Sequence, residues 1–414
     1  MRILYFTQFY SPENIAAAFR AKEHAAVWTA EGHEVTVFTG WPNYPVGKLF
    51  NGYVMERLGK EIIDGVRVFR SQSKMQPNTS FAKRIESGVS FISNGLWNTR
   101  KDSPVGEDYD VVLVTSGTVF AAWLGVHFAK KRGLPLVVEF RDLTYRQMIA
   151  TGSSEASLKV RAMKALEFSF CRAAKKIVVL TNGFKDELSE NGVPERMITV
   201  VPNGADLVPC THTWSSTLRL GYFGTMGISQ DVIRTLELAA GLHREGLLES
   251  YTLIGEGAMR SSVEERLASE VYSFATLGHG IPKDELEPWY GRVHMTVVSL
   301  QRNKDFTGTV PSKIFQSFAR GTPVLFIGPD GEAARLVRES GGGIALCGDD
   351  QECADTLAKF ASSPDLPSKL LEMEGRAVDY MRRNYTRRIL AERMLDVLSE
   401  VTDDLSADNS DASF

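Results

Sequence analysis

Residues 307–325, TGTVPSKIFQSFARGTPVL, decide the fold class, because they predict a loop, a short helix and a buried strand in that order. Pro311 suits the first position of a helix, where its missing N–H leaves no hydrogen bond unmade. Gly321 and Pro323 end the helix and lead into a buried strand at residues 323–327. A helix followed at once by a buried strand is the repeating unit of an α/β protein.

The first turn of this helix carries the polar chemistry of the segment. Ser312 and Gln316 are four residues apart and share one helix face, and Lys313 lies beside them. Free N–H groups at a helix start, together with a lysine, favour the binding of a diphosphate. The alternative is an ordinary helix whose Lys313 is simply solvated, and the local pattern is compatible with both interpretations.

The rest of the chain repeats the alternation of helix and strand patterns, which is typical of parallel sheets covered by helices. Strands are predicted at residues 3–7, 34–39, 109–115, 136–140, 176–180, 218–223, 251–254, 272–277, 294–299 and 323–327. A dense turn cluster at residues 202–206 separates the two halves. We therefore predict two doubly wound α/β domains, followed by a helix that returns to the first domain and by a disordered acidic tail. The predicted bounds are 1–206, 207–383, 384–401 and 402–414.

Composition narrows the class of protein. The 414 residues are 43% hydrophobic and 24% charged, with a net charge of −4, which is ordinary for a globular protein and does not favour nucleic-acid binding. The four cysteines form no metal-type pair, so a cytoplasmic location is predicted. No apolar run approaches the ~18 residues of a membrane span. The D-x-D of Asp108 and Asp110 leads directly into a strand, and the histidines lack metal spacing, so no metal site is predicted.

Three strand ends in the second domain offer amides or cations, and ligands of doubly wound sheets bind at such ends. Two of the strands are followed by glycine turns, which allow a backbone to approach an anion closely, and the third is followed by basic residues. Each turn alone could be an ordinary tight connection, but together they predict a phosphate-bearing ligand. The candidate binding residues are Gly224, Thr225, Gly227, Glu256, Arg302, Lys304, Ser312, Lys313 and Gln316.

The first domain has two further candidates at strand ends. The loop Gly40-Trp41-Pro42-Asn43-Tyr44-Pro45 combines aromatic rings with an amide, which suits a sugar, although a rigid surface loop is the alternative. The dipeptide Arg141-Asp142 follows a buried strand and is either a site or a structural ion pair.

The stretch from Ser80 to Arg100 has apolar residues at helical spacing between basic flanks. This pattern is typical of an amphipathic helix that lies on an anionic membrane surface. A helix that faces the core is the alternative. The apolar residues are Phe81, Ile85, Val89, Ile92 and Leu96, and the basic ones are Lys83, Arg84, Arg100 and Lys101.

Three segments carry a family resemblance that extends from Met1 to about residue 401. They are EGHEVTV at 31–37, VVPNGAD at 200–206, and PSKIF at 311–315 with GTPV at 321–324. On these segments the chain resembles retaining glycosyltransferases of family 4, which have the GT-B fold. That fold implies two Rossmann-like doubly wound domains facing a central cleft, with a C-terminal helix crossing back to the first. WPNYPVGK at 41–48 and FRDL at 140–143 are most similar to the subgroup of N-acetyl-L-fucosaminyl transferases of O-antigen and capsule assembly.

The resemblance implies that the second domain binds a nucleotide sugar, most often a UDP-sugar, and that the first faces a saccharide or lipid-linked acceptor. The turn from Gly224 to Gly227 would face the diphosphate, and Lys313 with Arg302 or Lys304 would supply positive charge. Neither a metal nor a cofactor is expected besides the nucleotide sugar, which is a substrate. A cytoplasmic location with peripheral contact to the inner face of the plasma membrane is expected.

The same resemblance assigns residues of the first domain. Arg141 and Asp142 fall where many relatives have a catalytically important His-Asp, so they are the expected catalytic pair. The expected substrate-binding residues are Asn14, Arg20, Trp41, Asn43 and Tyr44.

One departure from the family keeps other functions open. The paired glutamates of an E-x7-E motif are replaced here by Gly308 and Gln316. A non-catalytic partner subunit that binds a sugar nucleotide is therefore an alternative, and a GT-B sugar-nucleotide epimerase is another.

Overall fold

The computed structural model describes residues 1–13, 15–44, 46–76, 81–116, 118–150 and 152–411, which divide between two α/β units. Unit 1 consists of Met1–Pro202 and Arg387–Phe414, and unit 2 consists of Asn203–Thr386. The predicted boundaries at 206 and 384 lie close to these divisions.

Unit 1 is built on one sheet of mostly parallel strands with helices on both faces. Its strands are β1 (Arg2–Phe6), β2 (Glu34–Gly40), β3 (Leu58–Ile63), β4 (Val66–Ser71), β5 (Val111–Thr115), β6 (Leu136–Phe140), β7 (Lys176–Val179) and β8 (Ile198–Val200). Its first helices are α1 (Ala16–Ala30), α2 (Phe81–Asn98), α3 (Val119–Arg132), α4 (Thr144–Ala150), α5 (Leu158–Ala173) and α6 (Asn182–Glu190). The strand order is β3-β4-β2-β1-β5-β6-β7-β8, in which β3 and β4 pair antiparallel.

Unit 2 repeats the architecture with a parallel sheet of order β11-β10-β9-β12-β13-β14. Its strands are β9 (Leu218–Phe223), β10 (Leu248–Ile254), β11 (Ala275–Gly278), β12 (Met295–Ser299), β13 (Val324–Ile327) and β14 (Gly343–Leu346). Its helices are α7 (Val232–Arg244), α8 (Arg260–Leu267), α9 (Lys283–Tyr290), α10 (Ser312–Phe318), α11 (Glu332–Ser340), α12 (Asp350–Ala361) and α13 (Leu366–Asn384), and α14 (Arg387–Asp411) belongs to unit 1.

The central strands explain why each unit folds around its sheet. β5 (VVLVT), β6 (LVVEF) and β13 (VLFI) are buried along their whole length, as strands of a sheet covered on both faces must be. The strand order reverses between β1 and β5 in unit 1 and between β9 and β12 in unit 2. Such reversals open a crevice at the carboxyl ends of the strands, so these two edges are the places to look for ligands.

The C-terminal helix α14 is part of the core of unit 1. Met394 and Leu398 pack with Tyr5 and Trp28, and the Trp28 indole N–H donates to the Ala391 carbonyl at 2.8 Å. The helix continues through Asp411, whereas the sequence predicted a disordered tail from residue 402. Extending a packed helix adds a hydrogen bond per residue without a new nucleation cost, which accounts for the difference.

Two features at the sheet edges escaped the sequence analysis. β3 and β4 form a hairpin whose turn is Asp64-Gly65, with φ of 50° and 80°. Asp-Gly is a preferred pair for such two-residue turns, so the signal was present in the sequence. Short β8 and β14 were also missed.

Among the described residues, no helix has the length and apolar character needed to cross a bilayer.

Candidate functional site

The two glycine turns of unit 2 are joined to each other through their backbones. Gly224 follows β9 with φ of 115°, and its N–H donates to the Ile254 carbonyl at 2.8 Å. The Met226 N–H donates to the Glu256 carbonyl, also at 2.8 Å. A Cβ on Gly255 would collide with the carbonyl oxygen of Gly224. Only glycine therefore allows the turns after β9 and β10 to lie this close together.

We expect Gly255→Ala to destabilise the protein by about 1–3 kcal/mol, the usual cost of overpacking, because backbone has to move to admit the methyl group. Affinity for a nucleotide diphosphate should fall with it. Gly241→Ala is the matched control, since Gly241 lies in α7 with nothing within 4 Å of its Cβ position. Urea unfolding should show the control to be neutral or stabilising. Equal stability of the two variants would contradict the packing argument.

Lys313 reaches the first glycine turn from α10. Its Nζ donates to the Thr225 carbonyl at 3.1 Å and lies 3.8 Å from the ring centroid of Tyr222. The Tyr222 hydroxyl donates to the same carbonyl at 2.6 Å. Burial lowers the pKa of Lys313 to about 7, and no charged group of the described residues offsets this effect. The ammonium thus lies against neutral groups with no carboxylate partner.

This position gives Lys313 a chemical role. β9 and β12 are neighbours at the point where the strand order of unit 2 reverses, and the elements that follow them carry Gly224 and Lys313. An oxyanion bound there would favour the charged form of the lysine, because an opposite charge counteracts desolvation. The arrangement therefore suits a phosphate or diphosphate.

The predicted contribution of the helix start requires correction. Pro311 is the N-cap of α10 and not its first residue, and the helix begins at Ser312, which is exposed. α10 has only seven residues. We therefore assign the positive charge of the site to Lys313 and not to the helix.

Arg302, which was predicted to bind the diphosphate, already has partners for its guanidinium. It donates to Asp350 at 2.6 Å and to the Gly348 carbonyl at 2.8 Å, and Arg234 contacts the same carboxylate at 2.8 Å. Arg302 thus fixes the loop before α12. Lys304 remains a candidate, since it is exposed and forms no ion pair within the described part of the chain.

The carboxylate of Glu256 positions a loop. It accepts hydrogen bonds from the Gly280 N–H and from His279, each at 3.1 Å. These bonds, chiefly the one from Gly280, lower the pKa of Glu256. Glu256 therefore ties the second glycine turn to the residues after β11, and its binding of a ligand stays a prediction.

Gln316 is held by a residue that the sequence analysis overlooked. Arg320 donates from one nitrogen to the Gln316 side-chain oxygen at 3.1 Å and to its main-chain carbonyl at 2.7 Å. Arg320 is only 3% exposed and also pairs with Glu287. One acceptor site of the Gln316 amide is therefore already used.

The loop of unit 1 that was predicted to bind sugar is organised from within. The buried Glu13 carboxylate accepts from the N–H groups of Asn43 and Tyr44 at 3.0 and 2.9 Å, and burial raises its pKa. The Trp41 indole donates to the Glu56 carbonyl at 2.9 Å, and the Asn43 amide donates to the Trp41 carbonyl at 2.8 Å. Trp41 and Asn43 thus also hold the loop together, and their binding of a sugar stays a prediction.

Tyr44 and Asn14 are two further residues that were predicted to bind substrate. Tyr44 is half-buried, with its ring edge-on to Phe9 at a centroid distance of 5.2 Å. Asn14 lies outside the described residues, as does Pro45 of the loop.

Arg20, which was predicted to bind substrate, is held by buried partners within unit 1. Its guanidinium pairs with Glu139 at 2.7 Å and donates to the carbonyls of Val201 and Pro202 at 2.8 and 2.7 Å. Burial alone would raise the pKa of Glu139, but attraction by Arg20 and Arg141 lowers it to about 2. A buried arginine with this many partners has little left to offer a substrate.

Arg141 differs from Arg20 in having no hydrogen-bond acceptor among the described residues. It follows β6, is 9% exposed, and burial lowers its pKa although Glu139 is near. Asp142 beside it is exposed, and desolvation raises the pKa of its carboxyl against the opposing effects of Arg141 and Gln147. The carboxyl edge of unit 1 therefore offers a buried arginine nitrogen, Arg141 Nη1, that lacks an acceptor among the described residues, next to the carboxyl group of Asp142.

A metal centre is not formed by the side chains that the structure describes, which include no group of three His, Cys, Asp or Glu residues suited to one. Asp110 of the D-x-D is bound to the Arg2 backbone at 2.7 Å and to its side chain at 3.0 Å. That aspartate therefore anchors β1 at the amino edge of the sheet.

Comparison with known proteins shows what the chain resembles. Residues 16–204 match the model of a glycosyl transferase 4-like domain. A relative in Escherichia coli K12, WcaI, is named as a colanic acid biosynthesis glycosyl transferase. It is 23% identical over 285 residues, which are 64% of this chain and 68% of WcaI.

Solved structures extend the likeness to nearly the whole chain. Sucrose-phosphate synthase from Thermosynechococcus elongatus matches with a TM-score of 0.72 at 14% identity, over 97% of this chain and 99% of that one. Anabaena HepE in complex with UDP matches with a TM-score of 0.65 at 13% identity, over 97% and 100%. The shared fold is GT-B, as predicted, and together with the family match it supports a glycosyltransferase.

Proposed function

We propose that this chain, whose residues 16–204 match a glycosyl transferase 4-like domain, transfers a sugar from a nucleotide diphosphate sugar with retention of anomeric configuration. The observation that carries the proposal is the Lys313 ammonium, which lies beside the Gly224 turn and has no carboxylate partner among the described residues. UDP is the favoured nucleotide, because HepE, which has the same fold, was solved with UDP.

The donor's diphosphate would bind to the turn from Gly224 to Gly227 and to Lys313. Fixed amides and a cation stabilise charge where it develops on the leaving group, which is the largest single contribution in many enzymes. The bond from the anomeric carbon to the phosphate oxygen breaks as the acceptor oxygen attacks the same face. The acceptor's proton passes to the departing phosphate. No metal is required, since Lys313 and the amides provide the stabilisation.

Arg141 and Asp142 are proposed to orient the transferred sugar. The unpaired guanidinium can donate hydrogen bonds to sugar or phosphate oxygens, because none of its donors has an acceptor in the described part of unit 1. The exposed Asp142 carboxyl can accept from sugar hydroxyls. A saccharide or lipid-linked acceptor remains the proposed partner.

Two steps test this function. UDP-, GDP-, ADP- and dTDP-sugars are first compared by thermal shift, because a ligand of the folded state raises the apparent stability. The donor that binds is then incubated with candidate acceptors, and the product is followed by proton NMR. Transfer with unchanged anomeric configuration is expected.

The same experiment separates the alternatives. Binding without turnover on any acceptor would support a non-catalytic partner subunit, which the replacement of both family glutamates by Gly308 and Gln316 favours. Appearance of an epimerised donor without acceptor would support an epimerase. A product of inverted configuration would contradict retention.

Activity is expected to persist in EDTA, because the proposed site stabilises the leaving group with amides and Lys313. Transfer rates should be the same with EDTA and with added Mn²⁺. Loss of transfer in EDTA and its recovery with Mn²⁺ would contradict this prediction.

Gln316→Glu is expected to tighten UDP binding severalfold, since charged hydrogen bonds are roughly twice as strong as neutral ones. One carboxylate oxygen would pair with Arg320 and leave the other for the ribose hydroxyls. Calorimetry with UDP and with 2′-deoxy-UDP provides the control, because the deoxy compound should gain little. Loss of UDP binding in the variant would mean that the pocket is built around the amide.

We further propose that unit 1 contacts an anionic membrane through α2. Ile85, Val89 and Leu96 of the predicted apolar stripe are 39%, 52% and 37% exposed. The helix packs against α3 through the adjacent face, where a Cβ on Gly88 or Gly95 would collide with side chains of α3. The three side chains of the stripe therefore lie beside the packed face and are partly exposed. Ser80, at the start of the predicted stretch, lies outside the described residues.

A further inference from the structure

A cavity of 420 Å³ lies in unit 1 at the amino-terminal edge of the sheet. It is lined by the C-terminal ends of α2 and α3, by the segment that follows α2, and by those that precede β5 and β6. Arg141 and Asp142 follow β6 at the opposite, carboxyl edge. The cavity is therefore separate from the edge proposed to bind the transferred sugar.

The cavity has an excess of positive charge. Arg100, Lys101, Lys131 and Arg132 line it, and the acidic residues of the lining are Glu107 and Asp108. Glu107 is partly neutralised by an ion pair with Arg67 at 2.8 Å. An anion would therefore bind more favourably here than a cation or a neutral molecule.

Two arginine donors in this lining lack acceptors. Arg100 Nε and Arg132 Nη2 are buried and have no hydrogen-bond partner among the described residues, although Arg100 Nε lies 4.0 Å from a carboxylate oxygen of Asp102. Arg132 uses its other terminal nitrogen to donate to the Gly106 carbonyl at 3.2 Å, which fixes the direction of the guanidinium. Buried donors without acceptors are rare in folded proteins, so each one indicates a missing partner. Phosphate oxygens suit arginine donors particularly well.

The lining of the cavity meets the exposed face of α2. Leu96 lies on both, and Trp97 beside it is 46% exposed. The Arg100 guanidinium lies 3.3 Å from the ring centroid of Trp97, and Arg57 contacts the same ring at 4.3 Å. Tryptophan next to basic side chains is the composition expected where a protein meets a bilayer surface.

We propose that this cavity binds the phosphate group of an anionic lipid whose acyl chains lie along the exposed face of α2. Its four basic side chains surround the phosphate, and Arg100 and Arg132 supply the free donors. The assignment of the phosphate to a lipid rests on the membrane contact proposed above. The binding of a phosphate group is inferred from the cavity and does not depend on that contact.

Co-sedimentation of the full chain with vesicles tests the proposal. Phosphatidylglycerol vesicles are compared with phosphatidylcholine vesicles for two double variants, Arg100→Gln with Arg132→Gln and Lys101→Gln with Lys131→Gln. The second pair is exposed, so its removal leaves folding intact even if the first pair contributes to stability. Lys159→Gln with Arg161→Gln is the control, because it removes the same charge from exposed positions on α5.

Both cavity variants should bind phosphatidylglycerol vesicles at least about tenfold more weakly than the control, since each basic side chain near a membrane surface contributes to binding. Binding equal to the control would overturn the proposal, as would equal binding of the wild type to phosphatidylcholine. UDP affinity, measured on the same samples, should stay unchanged in all variants. If the wild type does not bind UDP, that result counts against the transferase proposal and leaves the lipid proposal unaffected.

An NMR experiment with two water-soluble compounds distinguishes a lipid headgroup from a free phosphate ester. The ³¹P signal of sn-glycerol 1-phosphate is compared with that of dihexanoyl phosphatidylglycerol below its micelle concentration. Stronger broadening of the lipid signal by the wild type, and its loss in the Arg100 and Arg132 variant, supports a lipid headgroup. Equal broadening of both signals would assign the cavity to a free phosphate ester and overturn the lipid assignment.

Discussion

Lys313→Ala should weaken UDP binding by at least about tenfold, a loss of ~1.4 kcal/mol, because it removes the cation beside the Gly224 turn. The loss in kcat/KM should reach about 100-fold, since a group that stabilises the leaving group contributes more in the transition state. Lys359→Ala, at an exposed position of α12, is the control. Calorimetry and steady-state kinetics measure the two effects. If affinity and rate are unchanged in Lys313→Ala, the assignment of Lys313 to the diphosphate site is contradicted.

The lowered pKa of Lys313 predicts a second measurable effect, the uptake of a proton when UDP binds. With a pKa of about 7, the free side chain is mostly neutral above neutral pH, and a bound diphosphate raises that pKa. UDP binding near pH 8 should therefore take up a proton, and affinity should fall as pH rises further. Calorimetry in two buffers of different ionisation enthalpy detects the uptake. Lys313→Ala should abolish it, and a wild-type signal independent of the buffer would contradict the assignment.

Arg20→Met should destabilise the protein by about 3–5 kcal/mol, because it leaves the Glu139 carboxylate buried without its ion-pair partner. Arg2→Met is the matched control, since the Arg2–Asp110 pair is exposed and should contribute only about 0–1 kcal/mol. Urea unfolding measures both. Adding Glu139→Gln to Arg20→Met should recover part of the loss. Equal stability of the two single variants would restore Arg20 as a candidate for substrate binding.

The same ion pair predicts a pH dependence of stability. The pKa of Glu139 is lowered from 4.5 to about 2 in the folded protein. Its contribution to the free energy of unfolding is therefore complete above the unfolded pKa and lost as pH falls toward 2. In Glu139→Gln this part of the acid dependence should be absent.

The fold was largely predictable because the strands of both sheets are apolar and regularly separated by helices. β5, β6, β9 and β13 were placed within one or two residues of their observed bounds. β3 was missed because its LGKEII sequence has exposed positions at the sheet edge and no apolar run. α14 extended further than predicted because a packed helix can propagate beyond its last core contact.

The candidate site was less predictable, because a sequence shows which groups exist but not which are already paired. Gly224 and Lys313 were identified from turn and helix patterns, and the structure brings them together. Arg302 was assigned to the ligand because its partner Asp350 is distant in sequence. Arg20 was assigned to the substrate by the family resemblance, and the sequence could not show that it pairs with Glu139, which lies on β6.

The most direct test of the central claim is a crystal structure of the protein with UDP. We expect the diphosphate oxygens within about 3 Å of the N–H groups of Thr225 and Gly227 and of Lys313 Nζ, the usual distance of a hydrogen bond, because the N–H groups of Gly224 and Met226 already bind carbonyls of the second turn. Lys313 should then have turned from the Thr225 carbonyl to the phosphate. UDP bound elsewhere, with Lys313 still donating to Thr225, would contradict the account.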